Sequence, residues 1–296
     1  MNQNFAQYIQ PAFNETRWWK VLLTLVVWVA GYFIFSSILL AALPLFLDLP
    51  GLSDLAVGKF TTPIAVYFLL LTFVVWVGVF WSVVALFHKR GMASLLGGPR
   101  GRFLKCFVWA VLISAIFLTT TQMLFPTGDR IEENIAFGRW LALLPLGLFL
   151  MLIQVSAEEL LFRGYLQQQL AAWVNNRFVY MVIPSILFGL AHFSTELGVT
   201  VGWMIVGATG LLGLFLADLT YRTGNLGAAI GVHFANNFGA MFYVSYQEQI
   251  SGLARFVAPD YFDKPELMAA AATTMLISSG TMFAIYFAIM EWRERR

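Results

Sequence analysis

The chain has 296 residues, of which 59% are hydrophobic and only 11% charged, with 28 phenylalanines and a formal net charge of +2. Soluble domains carry about 25% charged residues, so this composition excludes a soluble globular protein and indicates an integral membrane one. The small positive charge gives no nucleic-acid signal, and Cys106, the only cysteine, excludes a disulfide framework or a thiolate metal cluster.

In chain order, apolar runs of about 20 residues or more, the length that crosses a bilayer, fall at 21–47, 61–87, 106–125, 142–166, 179–195, 199–219, 224–244 and 267–290. The predicted fold is therefore all-α and polytopic, with about eight transmembrane helices. The first run is too long for the core of a signal peptide, and no small-residue cleavage site follows it; Arg17 and Lys20 precede it. It is expected to be a membrane anchor. Placing the N-terminus in the cytoplasm puts 13 of the 18 Lys and Arg residues on that side, including Lys89, Arg90, Arg100, Arg102, Lys105, Arg163, Arg177 and Arg222. The opposite side receives Lys59, Arg130, Arg139, Arg255 and Lys264. That asymmetry predicts cytoplasmic N- and C-termini and an even number of spans. Trp18, Trp19, Trp140, Tyr243, Tyr246 and Trp292 stand at segment ends, as an interfacial aromatic belt requires.

The glycine-rich stretch 88–105 reads as a basic cytoplasmic loop in contact with anionic lipid, and His88 beside Lys89 as an interfacial bystander. Asp263-Lys-Pro-Glu266 has an acidic helix-start residue followed by proline and opens the last span. Cys106 reads as a packed or lipid-facing thiol. No internal repeat supports a transporter-type duplication. The expected organisation is one structural unit: helices 1–3 and the basic loop in 1–139, a core of helices 4–7 in 140–245, and a last helix in 246–296.

Ionisable residues inside apolar spans cost about 2.5–3.5 kcal/mol each on insertion scales, which makes them candidate functional sites. Glu158, Glu159 and Arg163 lie in the fourth run, His192 in the fifth and His233 in the seventh. Glu159 and Arg163 are one helical turn apart and can pair, while Glu158 points about 100° away from Glu159. A buried, crowded carboxylate is raised toward neutrality, where a general base is useful, and Arg163 opposes that shift. His233 and Asn237 share a helix face and would offer two hydrogen-bond donors, as a developing oxyanion needs. At 1.5 Å per residue, Glu158, His233 and His192 lie roughly 13, 12 and 16 Å inside their spans, which is consistent with one cluster. Each residue also has a plain reading as an interhelical hydrogen-bonder or structural ion pair; their coincidence on three spans favours a reaction centre.

The pattern Glu158-Glu159-x-x-x-Arg163, Phe188-x-x-x-His192, His233-x-x-x-Asn237 resembles the three motifs of the CAAX-protease and bacteriocin-processing (CPBP, or Abi) family of intramembrane proteases, which includes the Rce1-type CAAX prenyl endopeptidases. The resemblance covers roughly residues 140–245. It implies peptide-bond hydrolysis within the membrane, with Glu158 and His192 activating water, His233 and Asn237 stabilising the oxyanion, and Glu159 and Arg163 orienting Glu158. Phe188 would pack and do no chemistry. The favoured mechanism uses no cofactor; the alternative is zinc held by Glu158, His192 and His233, although no His-Glu-x-x-His helix is present. The resemblance implies as partners membrane lipids and a peptide or protein substrate, prenylated or bacteriocin-like, and no nucleic acid. The short chain without eukaryotic targeting features points to a multi-pass protein of the bacterial inner membrane. Two other functions compete: a non-catalytic immunity or scaffold protein on the same fold, and a proton-coupled transporter.

Overall fold

A computed structural model describes residues 3–46, 59–124, 131–195, 198–246, 250–258 and 265–294. Each of the eight apolar runs forms a helix. The chain opens with a short helix, α1 (Gln3–Ile9), and a 3-10 turn (Gln10–Asn14), then passes into α2 (Trp18–Phe46). Next come α3 (Pro63–His88), the one-turn α4 (Met92–Leu96) and α5 (Arg100–Leu124). Helix α6 (Phe137–Glu159) continues without a break through a π-helical turn (Leu160–Leu166) into α7 (Gln167–Trp173). Helices α8 (Arg177–Leu190), α9 (Val199–Thr223), α10 (Gly227–Phe238) and α11 (Pro265–Glu294) complete the set. A small sheet, outside what the apolar pattern predicts, joins β1 (Glu132–Glu133), β2 (Val244–Tyr246) and β3 (Phe256–Ala258) in the order β1-β3-β2. In it β1 runs antiparallel to β3, and β2 parallel.

Among the described residues five helices are long and apolar enough to cross a membrane: 18–42, 63–88, 100–121, the continuous 137–173, and 199–223. The protein is thus an all-α polytopic membrane protein. The runs at 179–195 and 224–244 are apolar over a spanning length but helical over less of it. Helix α8 stops at Leu190 in a turn, and α10 passes through π-helical residues 239–243 into β2. Asp263 and Lys264, expected at the head of the last helix, lie outside the described residues; that helix begins at Pro265.

The most apolar windows of α2 and α5 are only 11% and 6% buried, against 44% for α9. Helices α2 and α5 are therefore at the periphery, and α9 and α6 lie inside. Two close approaches set the inner packing. A Cβ on Gly227 would sit 2.2 Å from the Phe103 carbonyl oxygen, and one on Gly231 2.6 Å from that of Phe107. This Gly-x-x-x-Gly edge lets the backbones of α10 and α5 touch, as small residues do between membrane helices. It fixes the helix that carries His233.

The 137–173 helix stays packed inside the protein beyond the end of its apolar run at 166. Gln167, Gln168 and Gln169 are all fully buried, and each bonds a backbone carbonyl elsewhere: Ala217, Ser94 and Glu15. His88 is no bystander. It is buried, with Nε2 at 3.1 Å from the Thr24 hydroxyl and 2.8 Å from that of Tyr165, and Nδ1 at 3.2 Å from Gln169 Nε2. The pattern missed it because its partners come from α2, the π turn and α7.

Candidate active site

Helix α6 supplies both glutamates. Consecutive residues on a helix diverge by about 100°, so the two carboxylates meet different neighbours. Glu159 is fully buried, and its Oε1 accepts from Arg163 Nη1 at 2.8 Å and from His233 Nδ1 at 2.9 Å. The expected one-turn pairing of Glu159 with Arg163 is present, although the intervening turn is π-helical. Arg163 Nη2 donates to the Gly213 carbonyl of α9 at 3.0 Å, and its guanidinium stacks 4.5 Å from the Phe188 ring centroid. Phe188 thus does more than pack: its π face meets a cation that is out of water, where such contacts are strongest.

Glu158 is slightly more open, with a side-chain exposure of 11%. Its Oε1 accepts from Gln154 Nε2 at 2.7 Å, and Gln154 Oε1 in turn accepts from Asn237 Nδ2 at 3.0 Å. Glu158 Oε2 has no hydrogen-bond partner, and His233 Nε2 lies 3.6 Å from it. Glu159 Oε2 and Arg163 Nε are also buried without partners. An unpaired buried carboxylate oxygen is costly to maintain, so the Oε2 of Glu158, facing an imidazole, is the feature of this cluster that calls for a chemical explanation.

The structure brings Glu158, Glu159, Arg163, His233 and Asn237 into one network; His192 stands apart from it. Helix α8 ends two residues before His192, which is half-buried in the following turn, with Nδ1 donating to its own Phe188 carbonyl at 2.8 Å. That bond puts the proton on Nδ1 and leaves Nε2 with its lone pair in the neutral ring. The ring contacts Phe188 edge-on at 4.7 Å between centroids, and Phe188 contacts His233 likewise at 5.6 Å. So His233, not His192, is the imidazole beside Glu158. Gln154 is the site residue that sequence reasoning overlooked. Its signal was available: a lone amide in an apolar run, one turn before Glu158.

For a metal, the donor set would be Glu158, His192 and His233. Among the described residues no three His, Cys, Asp or Glu side chains are arranged to hold an ion, because His192 does not converge with the other two.

Fold and site together define a polytopic helical membrane protein with a buried glutamate–arginine–histidine centre braced by amides from two facing helices. Residues 140–239 match the family described as type II CAAX prenyl endopeptidase Rce1-like. All five networked residues, Gln154 and His192 fall within this segment. The chain is also 32% identical over 117 residues to the uncharacterized protein YyaK of Bacillus subtilis (strain 168); the match covers 39% of this chain and spans 38% of that protein.

Proposed function

We propose that the protein is an intramembrane endopeptidase of the CAAX-protease type, in which Glu158 activates the attacking water. The observation that carries this reading is the unpaired Glu158 Oε2, buried beside His233 in a segment matched by a peptidase family. Glu158 accepts a proton from water as its oxygen bonds to the scissile carbonyl carbon, then passes that proton to the departing amine nitrogen as the C–N bond breaks. His233 donates through Nδ1 to Glu159, itself paired with Arg163, so in the imidazolium form Nε2 would bear a second proton toward the oxyanion. Asn237 donates to Gln154 in this structure and would turn that donor to substrate. His192, at the rim with Nε2 unengaged, would meet the substrate from the side of Phe188. No step is routed through a metal.

The substrate class that suits a site within the bilayer is a lipidated or membrane-associated peptide, and the bacterial inner membrane its setting. Eight crossings with both termini in the cytoplasm remain part of this proposal, supported by the positive-residue asymmetry.

The test compares the wild type with Glu158→Ala, each purified in detergent, for cleavage of a fluorogenic lipidated C-terminal peptide with and without a chelator. Cleavage by the wild type alone, unaffected by chelation, is the expected result. Cleavage that chelation abolishes and zinc restores overturns the mechanism. Equal cleavage by both proteins overturns the role of Glu158.

A further inference from the structure

We propose that Tyr8, which precedes the first span, is a positioning residue of this site: its hydroxyl caps the carbonyl that the π-helical turn leaves without a backbone donor. The inference rests on the endopeptidase reading for its catalytic consequence, but not for its structural one.

The Gln167 N–H reaches back five residues to the Phe162 carbonyl, after which α7 returns to ordinary α-helical bonding. A ladder that reverts from five-residue to four-residue steps skips one carbonyl, and the carbonyl after that of Phe162 belongs to Arg163. A buried carbonyl needs a donor from elsewhere. Tyr8 supplies it in a three-centre bond: its one hydroxyl proton is shared between the Leu95 oxygen at 2.7 Å and the Arg163 oxygen at 3.2 Å. Burial pushes the Tyr8 hydroxyl above the usual tyrosine range, so it stays a donor through neutral and alkaline pH.

Two glycines make the junction possible. A Cβ on Gly164 would press to 3.2 Å from the Leu95 carbonyl oxygen, so glycine lets α4 lie against the π turn. A Cβ on Gly97 would strike the Tyr8 ring at 2.3 Å, and Gly97 has φ +70° besides. The segment bearing Tyr8 is tied down at other points: Phe5 is fully buried, Asn4 Nδ2 donates to the Arg222 carbonyl at 3.2 Å, and Trp173 Nε1 donates to that of Thr16 at 2.5 Å. The hydroxyl is thus delivered by a docked helix and not by a loose terminus.

The consequence concerns register. The π turn holds one residue more than an α-helical turn, so its loss would turn Glu158 and Glu159 by about 100° relative to everything after it. The two carboxylates would then no longer meet His233 while Arg163 keeps Gly213. Capping the Arg163 carbonyl favours the π register over that alternative.

The experiment uses the full-length protein in detergent, with Tyr8→Phe, Tyr8→p-aminophenylalanine, which restores a donor at the ring tip, and Asn4→Ala, which loosens the same segment away from the π turn. Hydrogen exchange of the amides of residues 160–168 and peptide cleavage are both read. Tyr8→Phe is expected to speed exchange in that segment and to lower kcat about tenfold, with KM within about twofold. The aminophenylalanine variant should recover both, and Asn4→Ala should leave both near wild type. Wild-type exchange and kcat in Tyr8→Phe would overturn the proposal, as would a loss that the restored donor does not rescue or one that Asn4→Ala reproduces. A wild type that cleaves nothing would refute the endopeptidase reading instead, and the exchange arm would still decide the role of Tyr8.

Discussion

His233 bonds Glu159 Oε1 through Nδ1 at 2.9 Å while its Nε2 stands 3.6 Å from Glu158 Oε2. One imidazole therefore faces both glutamates with different atoms, and the two carboxylates carry different tasks. Glu159 is the counter-ion of a fully buried guanidinium; removing one partner of such a pair costs about 3–5 kcal/mol because the other charge is left unpaired. Glu159→Ala is expected to lower the thermal midpoint of the detergent-solubilised protein sharply. Glu158→Gln keeps an oxygen for the Gln154 amide and should shift the midpoint little, while lowering cleavage by about 10²–10⁴-fold, the scale of a lost general base. Equal destabilisation by the two substitutions would contradict this division.

Gln154 links the two halves of the site, donating to Glu158 and accepting from Asn237. A hydrogen bond to a charged group contributes about 1.5–3 kcal/mol. Gln154→Leu, close in volume and without the amide, is expected to lower kcat roughly ten- to a hundredfold. Because Asn237 also loses its anchor, Gln154→Leu combined with Asn237→Ala should cost less than the sum of the two single changes. A double-mutant cycle on kcat measures this, and strict additivity would show that the two residues act separately.

The elements that could be read from sequence are those governed by local rules. The apolar runs located each long helix, since hydrocarbon demands about 20 apolar residues whatever the partners. The Glu159–Arg163 contact followed from helical spacing. The π turn left no mark on the pattern, because one extra residue in a uniformly apolar stretch leaves the stretch apolar. His233 beside Glu158, His88 in its cage of Thr24, Tyr165 and Gln169, and Tyr8 under the motif arginine are all tertiary contacts between residues 64 or more apart. No periodicity encodes such pairings.

Gly213 tests how tightly the arginine is seated. Its carbonyl accepts from Arg163, and a Cβ there would meet Arg163 Nη2 at 3.0 Å, Phe188 Cδ1 at 3.2 Å and the Ser185 Cα at 3.2 Å. Two of these three neighbours are packed on a ring and a backbone that yield little. Gly213→Ala is expected to destabilise by about 1–3 kcal/mol, as overpacking does, and to reduce cleavage by displacing the guanidinium from Glu159. Gly239→Ala, where a Cβ meets nothing within 4 Å, is the matched control on the neighbouring helix. Thermal unfolding of both variants, followed by cleavage assays, would show whether the loss is confined to Gly213.

The Glu15 cluster sets an acid limit on the docking of the N-terminal segment. Glu15 accepts from Arg17 Nε and Lys20 Nζ, each at 2.6 Å, and Lys20 also donates to the Phe87 carbonyl at 3.0 Å. Hydrogen bonds from Arg17, and then from Lys20, hold its carboxyl well below the ordinary glutamate range. A group depressed in the folded state adds stability above its unfolded pKa, near 4.3. That contribution is lost as pH falls below it, since the unfolded chain then binds the proton that the folded one refuses. The side chain is close to solvent, so the effect is modest and screened by salt. Between pH 5 and 8 the thermal midpoints of the wild type and Glu15→Gln should therefore run parallel, with the variant lower. Below about pH 4 the two should converge, and added salt should narrow the gap at neutral pH. The Glu15 backbone carbonyl, which Gln169 Nε2 reaches at 3.1 Å, is untouched by the substitution, so any gap that persists at low pH must come from something other than this ion cluster.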